Sequence, residues 1–537
     1  MTLNKIDVIF RSIVSFVKRH DTAIVIAIAF IAAVLSVINN YNAGTILAYG
    51  DAESHINIAK RVVGGLTPGL GQLGGIWLPL HHIMMMPFVI NDFMWRSGLG
   101  GAIVSAICYV ASTFFVYKLA KTLITKPWVA ALAVSIYAFN PNVLYMLGTP
   151  MSELPLLAFM TGSLFFFVRW MYDDDIRMLI LAGTLAFGGM LVRYDAWFLI
   201  FIEVIAVVII GIYKKYSRQK IEGTAIIFAL PALLGAILWL LWGLVIFHDP
   251  LYFMNSEYSA KSQQQSFLTK GELPTYHNVI QSVQYYSQAV IDNIGIVFAV
   301  LAVIGVVVIV VNSKKKELTR TLVLIALLLS PFFFNVLSLY LGISILFIPE
   351  LTPLSYEFHL FNVRYGMMLI PAIAVLIGLL IDRFNYKAIR IITGTAAFAV
   401  VFAFAFTIPI TLKDGTEGLS ARKPDKTAIT IEQDFRTAYD FGYVAFDDFG
   451  RSASPVDLGI PMNRMIYVGN HPYWDNLLNS PNSVARFIVM QPDDRLWRQF
   501  HNNKLFNEDY TQIAEKGNTL LYKCTRNCLD RNSILTK

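Results

Sequence analysis

The stretch "TAIVIAIAFIAAVLSVINN", residues 22–40, contains no charged side chain and is long enough to cross a membrane as a helix. A spanning helix needs about 20 apolar residues to traverse about 30 Å of hydrocarbon. Apolar runs of similar length recur at 99–117, 128–147, 154–170, 176–192, 195–213, 221–247, 291–311, 320–345, 361–381 and 388–411. These runs predict a polytopic α-helical membrane protein of about 11 spans, because barrel strands would show short alternating segments instead.

The composition agrees with that prediction. Of the 537 residues, 56% are hydrophobic and only 15% are charged, and the mean hydropathy is +0.57. Ordinary soluble domains carry about 25% charged residues. The net charge of +7 fits cationic anchoring of loops at a membrane surface. We therefore expect membrane lipids as partners and no nucleic acid.

Two apolar segments need a different interpretation. Four cationic residues precede the run 22–38, as in a signal peptide, but this run exceeds the usual 7–15 residues and lacks a convincing small-x-small cleavage site. It is interpreted as an uncleaved anchor. The stretch 76–94 contains Pro79, His81, His82, Pro87 and Asp92. Such groups are costly in a spanning helix, so a re-entrant or interfacial helix is predicted.

Cationic clusters in the loops predict the orientation. With eleven spans, all six clusters fall on one side; they lie at 5–19, 118–126, 169–177, 214–220, 314–320 and 383–390. The positive-inside rule makes that side cytoplasmic. The prediction is a multi-pass protein of the plasma (inner) membrane with a cytoplasmic N-terminus. Lys60, Arg61, Arg193 and Arg364 fall on the opposite side and need a reason other than topology.

Two domains are predicted: a membrane domain 1–412, whose first outer loop is 41–98, and an extracytoplasmic domain 413–537. The second has ordinary charge density, a helix-like segment at 493–500 and four strand-like runs at 443–448, 465–470, 486–491 and 519–524. Strands that alternate with helices indicate a small α/β domain. Its Cys524 and Cys528 are expected to form a disulfide in an oxidising compartment.

The first outer loop contains "YGDAESHINIAKRV", residues 49–62, which crowds polar groups beside a membrane segment. Asp51 and Glu53 precede an amphipathic helix, where carboxylates favour a helix N-terminus, so one interpretation is only a helix start. The other is a carboxylate at the mouth of a membrane cavity, acting as general base or metal ligand. His55 lies one turn from Asp51, which leaves open a divalent cation, Mg²⁺ or Mn²⁺, bound by these two residues.

Two Arg-Tyr pairs follow, in "MLVRYDAWF" (190–198) and "FNVRYGMMLIP" (361–371). Ionisable groups at membrane depth usually mark a site, although a local pair of Arg193 with Asp195 is an alternative. Guanidinium groups suit phosphate geometry, so Arg193 and Arg364 are predicted to clamp an anionic group. The tyrosines beside them, Tyr194 and Tyr365, are predicted to bind substrate too. Glu153 and Glu357 are further candidates on the same side.

Common catalytic motifs are absent from the sequence. It contains no G-x-x-x-x-G-K-[ST], no G-x-S-x-G and no H-E-x-x-H. Either the substrate arrives activated or no chemistry occurs.

The chain resembles the GT-C glycosyltransferase superfamily, in particular the branch of protein O-mannosyltransferases and lipid A aminoarabinose transferases. The resemblance rests on five motifs that occur in order, "GDAESHINIAKRV", "WLPLHH", "MSELPLL", "LVRYDAWF" and "RYGMMLIP". It implies a polyprenyl-phosphate-linked sugar as donor and extracytoplasmic transfer with inversion to a protein, lipid or glycan. Asp51 would be the base, Glu53 the second acid of the family's paired-acid motif, and Arg193 and Arg364 the donor-phosphate ligands. 

A secondary transporter or lipid flippase is the competing class, since transporters also keep ionisable residues in the membrane. No inverted repeat is visible, and an outer α/β domain is superfluous to transport. A catalytically inactive scaffold is a third possibility. Transfer of a labelled sugar would distinguish the enzyme from both.

Overall fold

The structure is a computed structural model that describes residues 2–384 (side chains from residue 19), 391–392, 394–396, 398–399, 412–413, 415–416, 430–448 and 452–529. The predicted span 388–411 lies largely outside these residues, and around the predicted domain boundary at 412/413 only 412–413 and 415–416 are described.

The membrane part of the chain is helical. In chain order, the helices are α1 (Thr2–Ala43), α2 (Gly50–Gly64), α3 (Leu80–Val89), α4 (Asp92–Arg96), α5 (Leu99–Leu123), α6 (Pro127–Ala138), α7 (Pro141–Met146), α8 (Glu153–Asp173), α9 (Ile176–Met190), α10 (Asp195–Tyr213), α11 (Arg218–Phe247), α12 (Tyr252–Asn255), α13 (Ala260–Thr269), α14 (Val279–Ile294), α15 (Ile296–Val311), α16 (Leu318–Leu328), α17 (Ser330–Tyr340) and α18 (Ile370–Arg383). Short 3₁₀ helices lie at Leu70–Leu73 and Val363–Leu369. Ten of the eleven predicted apolar runs coincide with these helices.

Within the described residues, six helices are long and apolar enough to cross a membrane, or up to eight if each of two bent pairs is one span. The bent pairs are α14 with α15, at 114°, and α16 with α17, at 54°. Helix α15 exposes Val303, Val307 and Val311 on one face. Soluble proteins rarely expose such apolar stripes, whereas lipid solvates them. The multi-pass architecture is therefore confirmed, while the count of about 11 spans stays a prediction.

Helix α3 is the segment predicted to be re-entrant or interfacial. Its ten residues rise about 15 Å, roughly half of the hydrocarbon thickness. Pro87 lies inside this helix, and its two histidines are buried. The short length agrees with the prediction for 76–94.

The chain forms two compact units. The first comprises 1–49, 75–81 and 102–418. The second comprises 50–74, 82–101 and 419–537. It therefore combines most of the predicted first outer loop, 41–98, with the C-terminal region.

The C-terminal region of the second unit is a small α/β domain, as predicted. Its strands are β1 (Val444–Phe446), β2 (Met465–Ile466), β3 (Phe487–Met490), β4 (Tyr510–Lys516) and β5 (Thr519–Cys524), and its helices are α19 (Ile431–Ala438), α20 (Tyr473–Asn479), α21 (Arg495–Phe500) and α22 (Lys504–Asp509). The sheet order is β2-β1-β3-β5-β4. Strand β1 pairs in parallel with β2 and β3, whereas β5 runs antiparallel to β3 and β4.

Strand β4 was not predicted, although the four predicted strands are all present. In "YTQIAEK" only Tyr510 is buried, and the strand lies at the edge of the sheet. Exposed edge strands lack the apolar alternation by which strands are found. The predicted disulfide is present: Cys524 and Cys528 are bonded, with Cα atoms 5.9 Å apart.

Candidate functional site

A buried carboxylate in the first unit receives two arginines. Glu153, the first residue of α8, is 0% exposed. Arg364 Nε donates to Glu153 Oε1 at 2.8 Å, and a terminal nitrogen of Arg193 donates to the same oxygen at 3.0 Å. Three residues that the sequence proposed separately for substrate binding are thus in one cluster, which we name the Glu153 cluster: Glu153, Arg193, Arg364 and the residues that contact them.

Arg193 also forms the local pair that was the alternative interpretation. Its Nε donates to Asp195 Oδ2 at 3.1 Å. A terminal nitrogen lies 3.4 Å from Ser152 Oγ. The local pair and the convergence on Glu153 therefore coexist. Two guanidinium groups face two carboxylates, so the formal charges of the cluster balance, as buried charges require.

The aromatic residues of the cluster lie against the guanidinium groups. Arg364 stacks 4.4 Å from the ring centre of Tyr49 and donates a hydrogen bond to its hydroxyl. The Tyr365 ring lies 5.2 Å from Arg364 and 5.1 Å from Arg193. Cations over aromatic faces are stabilised by the ring quadrupole. Tyr365, a predicted site residue, therefore contacts both arginines. Tyr49 contacts Arg364 but was not predicted as a site residue.

The backbone around Arg364 packs closely against α14. Asn362 adopts a left-handed conformation (φ 59°) and donates from Nδ2 to Ile345 O at 2.9 Å. At Gly366, a Cβ atom would lie 2.2 Å from Ala289 O. Tyr286 donates to Tyr365 O at 3.2 Å. Only glycine permits the segment Val363–Leu369 to pack this closely on α14, and that packing sets the position of Arg364.

The loop before Glu153 is fixed in a similar way. A Cβ atom at Gly148 would lie 2.2 Å from Nδ2 of the Asn40 side chain. The same nitrogen donates to Tyr145 O at 2.9 Å. Ser105 Oγ donates to Thr149 O at 2.6 Å. A ring nitrogen of His81 lies 2.8 Å from Pro150 O. These contacts hold the turn from which α8 and Glu153 begin.

Two predicted substrate-binding residues have other contacts. The Tyr194 hydroxyl donates to Ile76 O at 2.9 Å and accepts from Trp239 Nε1 at 3.2 Å. Glu357 is exposed and pairs with Lys270 at 2.5 Å. Neither contact belongs to the Glu153 cluster, so the roles of these residues in substrate binding stay predictions.

The predicted catalytic acids lie in the second unit, in the first turn of α2. Asp51 and Glu53 are the acidic residues of that turn, and both are partly buried. Glu53 Oε1 accepts from Ser454 Oγ at 2.8 Å and lies 3.5 Å from Val456 N. The expected helix start is therefore present, and Glu53 has in addition a hydrogen-bond partner from the C-terminal domain.

The unexpected positive charges of α2 have structural partners. Lys60 Nζ pairs with Asp92 at 2.6 Å and donates to Val89 O at 3.0 Å. Arg61 pairs with Asp448 at 3.0 Å and stacks 3.7 Å from the Tyr467 ring centre. Both cations are buried. Internal ion pairing of the second unit therefore explains why Lys60 and Arg61 break the loop-charge pattern.

The histidine of α2 is paired with another histidine. His55 Nδ1 lies 2.9 Å from His82 Nε2, and both side chains are buried. Among the residues that the structure describes, no group of three or more His, Cys, Asp and Glu is arranged to hold a metal ion. The binding of Mg²⁺ or Mn²⁺ by Asp51 and His55 stays a prediction, and we derive no step through a metal ion.

Comparison with known proteins places these features in a family context. Residues 84–241 match the dolichyl-phosphate-mannose-protein mannosyltransferase family. No curated protein matches the chain by sequence.

Solved structures are similar in fold at low sequence identity. ArnT from Cupriavidus metallidurans in the apo state has a TM-score of 0.55 and 11% identity, covering 94% of this chain and 99% of that chain. The Archaeoglobus fulgidus oligosaccharyltransferase in the apo form has a TM-score of 0.48 and 12% identity, covering 89% and 70%. AglB from A. fulgidus in complex with an inhibitory peptide and a dolichol-phosphate has the same score and identity, covering 96% and 75%.

The family match over 84–241 and the fold shared with ArnT agree with the resemblance to the GT-C superfamily. The chain is a multi-pass membrane protein with the fold of ArnT, and the family match covers 84–241, which includes Glu153 and Arg193.

Proposed function

We propose that this protein transfers a sugar from a polyprenyl-phosphate donor to an acceptor on the extracytoplasmic side of the membrane. The observation that carries the proposal is the convergence of Arg193 and Arg364 on Glu153 Oε1, at 3.0 and 2.8 Å. The family that matches 84–241 is named for a dolichyl-phosphate-mannose donor. A donor of this kind arrives activated, which agrees with the absence of nucleotide-binding motifs in the sequence.

The arginine pair is suited to a phosphate group. Each guanidinium has several N–H donors in a fixed plane, and Glu153 takes one donor from each. Glu153 thus sets the two planes, while Tyr49 and Tyr365 limit their rotation from the side. In the proposed complex, the donor phosphate binds to these two arginines and its negative charge is stabilised as it increases in the transition state.

Asp51 is the proposed general base. It follows Tyr49, a contact of Arg364, by two residues in the sequence. In the proposed step the acceptor oxygen bonds to the anomeric carbon while the bond from that carbon to the phosphate oxygen breaks. The acceptor proton passes to Asp51, and polyprenyl phosphate leaves with the bonding electron pair. Because one displacement occurs, the anomeric configuration inverts.

Glu53 and His55 are proposed to orient the acceptor, with Glu153, Tyr194, Glu357 and Tyr365 lining the donor side. The proposed acceptor is a hydroxyl group of a protein, lipid or glycan. Each of these needs a base when its nucleophile is protonated at neutral pH.

Incubation of the purified protein with a radiolabelled polyprenyl-phosphate sugar and envelope extract tests the proposal. We expect label in a new product together with free polyprenyl phosphate. A transporter or flippase instead moves the intact donor across a proteoliposome membrane without releasing polyprenyl phosphate. Intact donor after incubation with all three acceptor classes would contradict the proposed enzyme.

A further inference from the structure

The residues that follow β1 and β2 in the C-terminal domain contact the chain's own first outer loop. Open α/β sheets bind ligands just beyond the carboxyl ends of their strands. Here the residues that follow β1 and β2 contact α2 and the 3₁₀ helix Leu70–Leu73, all within the second unit.

The segment that follows β1 contacts the first and the last turn of α2. Asp448, two residues after the strand, pairs with Arg61 at 3.0 Å. Ser454 donates to Glu53 Oε1 at 2.8 Å and also lies 2.9 Å from Asp457. The two contacts are eight residues apart along α2, so they constrain both its position and its rotation.

The segment that follows β2 contacts α2 and the residues that come after it. The Tyr467 ring stacks on Arg61, and its hydroxyl donates to Gln72. Asn470 Nδ2 donates to Thr67 Oγ1 at 3.0 Å. Gln72 Nε2 in turn donates to Gly469 O at 3.2 Å.

Helix α4 adds a third contact. Arg96 donates to Ile460 O at 2.7 Å and to Val456 O at 3.3 Å. The segment between β1 and β2 is therefore contacted from α2 on one side and α4 on the other. Arg61 is buried, and its pair with Asp448 fixes geometry because separating the two would leave a buried charge without a partner.

We infer that the C-terminal domain is a clamp that positions the helix carrying Asp51, and that Ser454 is a positioning residue that acts through Glu53. This inference rests on the proposed function for its catalytic consequence. A base must be held close to its productive geometry, and a displacement of about 1 Å can cost about a hundredfold in rate. The domain thus contributes to kcat through the position of α2.

The test compares Ser454→Ala with Ser454→Thr in the full-length protein. We expect Ser454→Ala to lower kcat about tenfold, the effect of one lost hydrogen bond to a charged group, with the KM for the donor unchanged. Ser454→Thr keeps the hydroxyl and should restore kcat. The matched control is Ser483→Ala, which removes a hydroxyl of the same domain that donates to Ser480 O; its kcat should equal that of the wild type.

Hydrogen exchange of the α2 amides gives a readout independent of activity. Ser454→Ala should accelerate exchange in residues 50–64, and Ser483→Ala should not. If the wild type transfers sugar but Ser454→Ala retains full kcat, the inference is overturned. If the wild type transfers no sugar, the proposed function fails instead, and unchanged α2 exchange in Ser454→Ala would then overturn the clamp by itself.

Discussion

Arg364 Nε lies 2.8 Å from Glu153 Oε1, although the two residues are 211 positions apart in the sequence. Glu153 is fully buried and begins α8, while Arg364 lies in the 3₁₀ helix before α18. Removing one partner of a buried ion pair typically costs about 3–5 kcal/mol, because the other charge stays buried. This pair therefore links two distant helices and also orients the proposed phosphate-binding guanidinium.

Arg364→Ala is expected to raise the KM for the donor about tenfold or more, because the loss of a hydrogen bond to a charged group weakens binding by about that factor. Arg364→Lys should recover only part of the affinity, because an ammonium group lacks the planar fork. Donor KM and equilibrium donor binding measure the effect. Arg218→Ala is the control, since Arg218 is exposed and pairs with Glu222 in the next helical turn. Unchanged donor binding in Arg364→Ala would refute the assignment.

Asp51→Asn should lower kcat by about 10²–10⁴-fold, because the amide cannot accept the acceptor proton. Expression and donor binding should remain close to those of the wild type. The alternative interpretation of Asp51 as part of a helix start predicts full activity, since Asn is a good capping residue. Asp475→Asn is the control, because Asp475 is exposed and pairs with the exposed His471. Single-turnover kinetics with saturating donor distinguish the two interpretations.

Gly366→Ala should destabilise the protein by about 1–3 kcal/mol, the usual cost of overpacking. The added Cβ atom would lie 2.2 Å from Ala289 O, so the segment that carries Arg364 must shift. Donor binding should weaken together with the thermal midpoint. Gly223→Ala is the matched control, since among the described residues no atom apart from its chain neighbours and the nearby backbone of α11 lies within 4 Å of the added Cβ atom. There the same change should be neutral or stabilising by up to about 1 kcal/mol.

The stability of the C-terminal domain should increase as the pH falls from 7 to 5. Burial raises the pKa of Asp494 to about 6, with a smaller contribution from the nearby Asp447. A carboxyl group with a raised pKa takes up a proton more readily in the folded state, so its stabilising effect is lost as the pH rises through about 6. The gain between pH 7 and pH 5 should be about 1 kcal/mol.

Thermal unfolding of the full-length protein at pH 7, 6 and 5 measures this dependence. Asp494→Asn should flatten it, because the amide does not titrate. Asp493→Asn, the same change at the exposed neighbouring residue, should leave the dependence intact. Parallel curves for wild type and Asp494→Asn would contradict the prediction.

Single cysteines at Lys215 and Lys315 should be protected from an impermeant thiol reagent in intact cells, and a cysteine at Glu272 should react. The cationic loops at 214–220 and 314–320 predict a cytoplasmic location for the first two. Among the described residues the only free cysteine is the buried Cys108, so background labelling should be low. Labelling at position 215 or 315 from outside would reverse the orientation.

Much of the architecture followed from local patterns in the sequence. The apolar runs identified ten helical regions, and the short apolar segments of the C-terminal region identified four of its five strands. The edge strand β4 was missed, since its exposed residues carry no buried periodicity. The free energy of transferring an apolar segment out of water depends mainly on the residues of that segment. A hydrophobic pattern within a short window is therefore enough to predict a helix or strand there.

The residue types of the candidate site were also visible in the sequence, because charged groups beside apolar runs are costly unless they have partners or a function. Their arrangement was not. Which carboxylate Arg364 pairs with, why Arg61 is buried, and which hydroxyl contacts Glu53 depend on residues that lie far apart in the sequence. Such contacts form only when helices and strands pack, since Coulomb and hydrogen-bond energies depend on distances that tertiary structure sets.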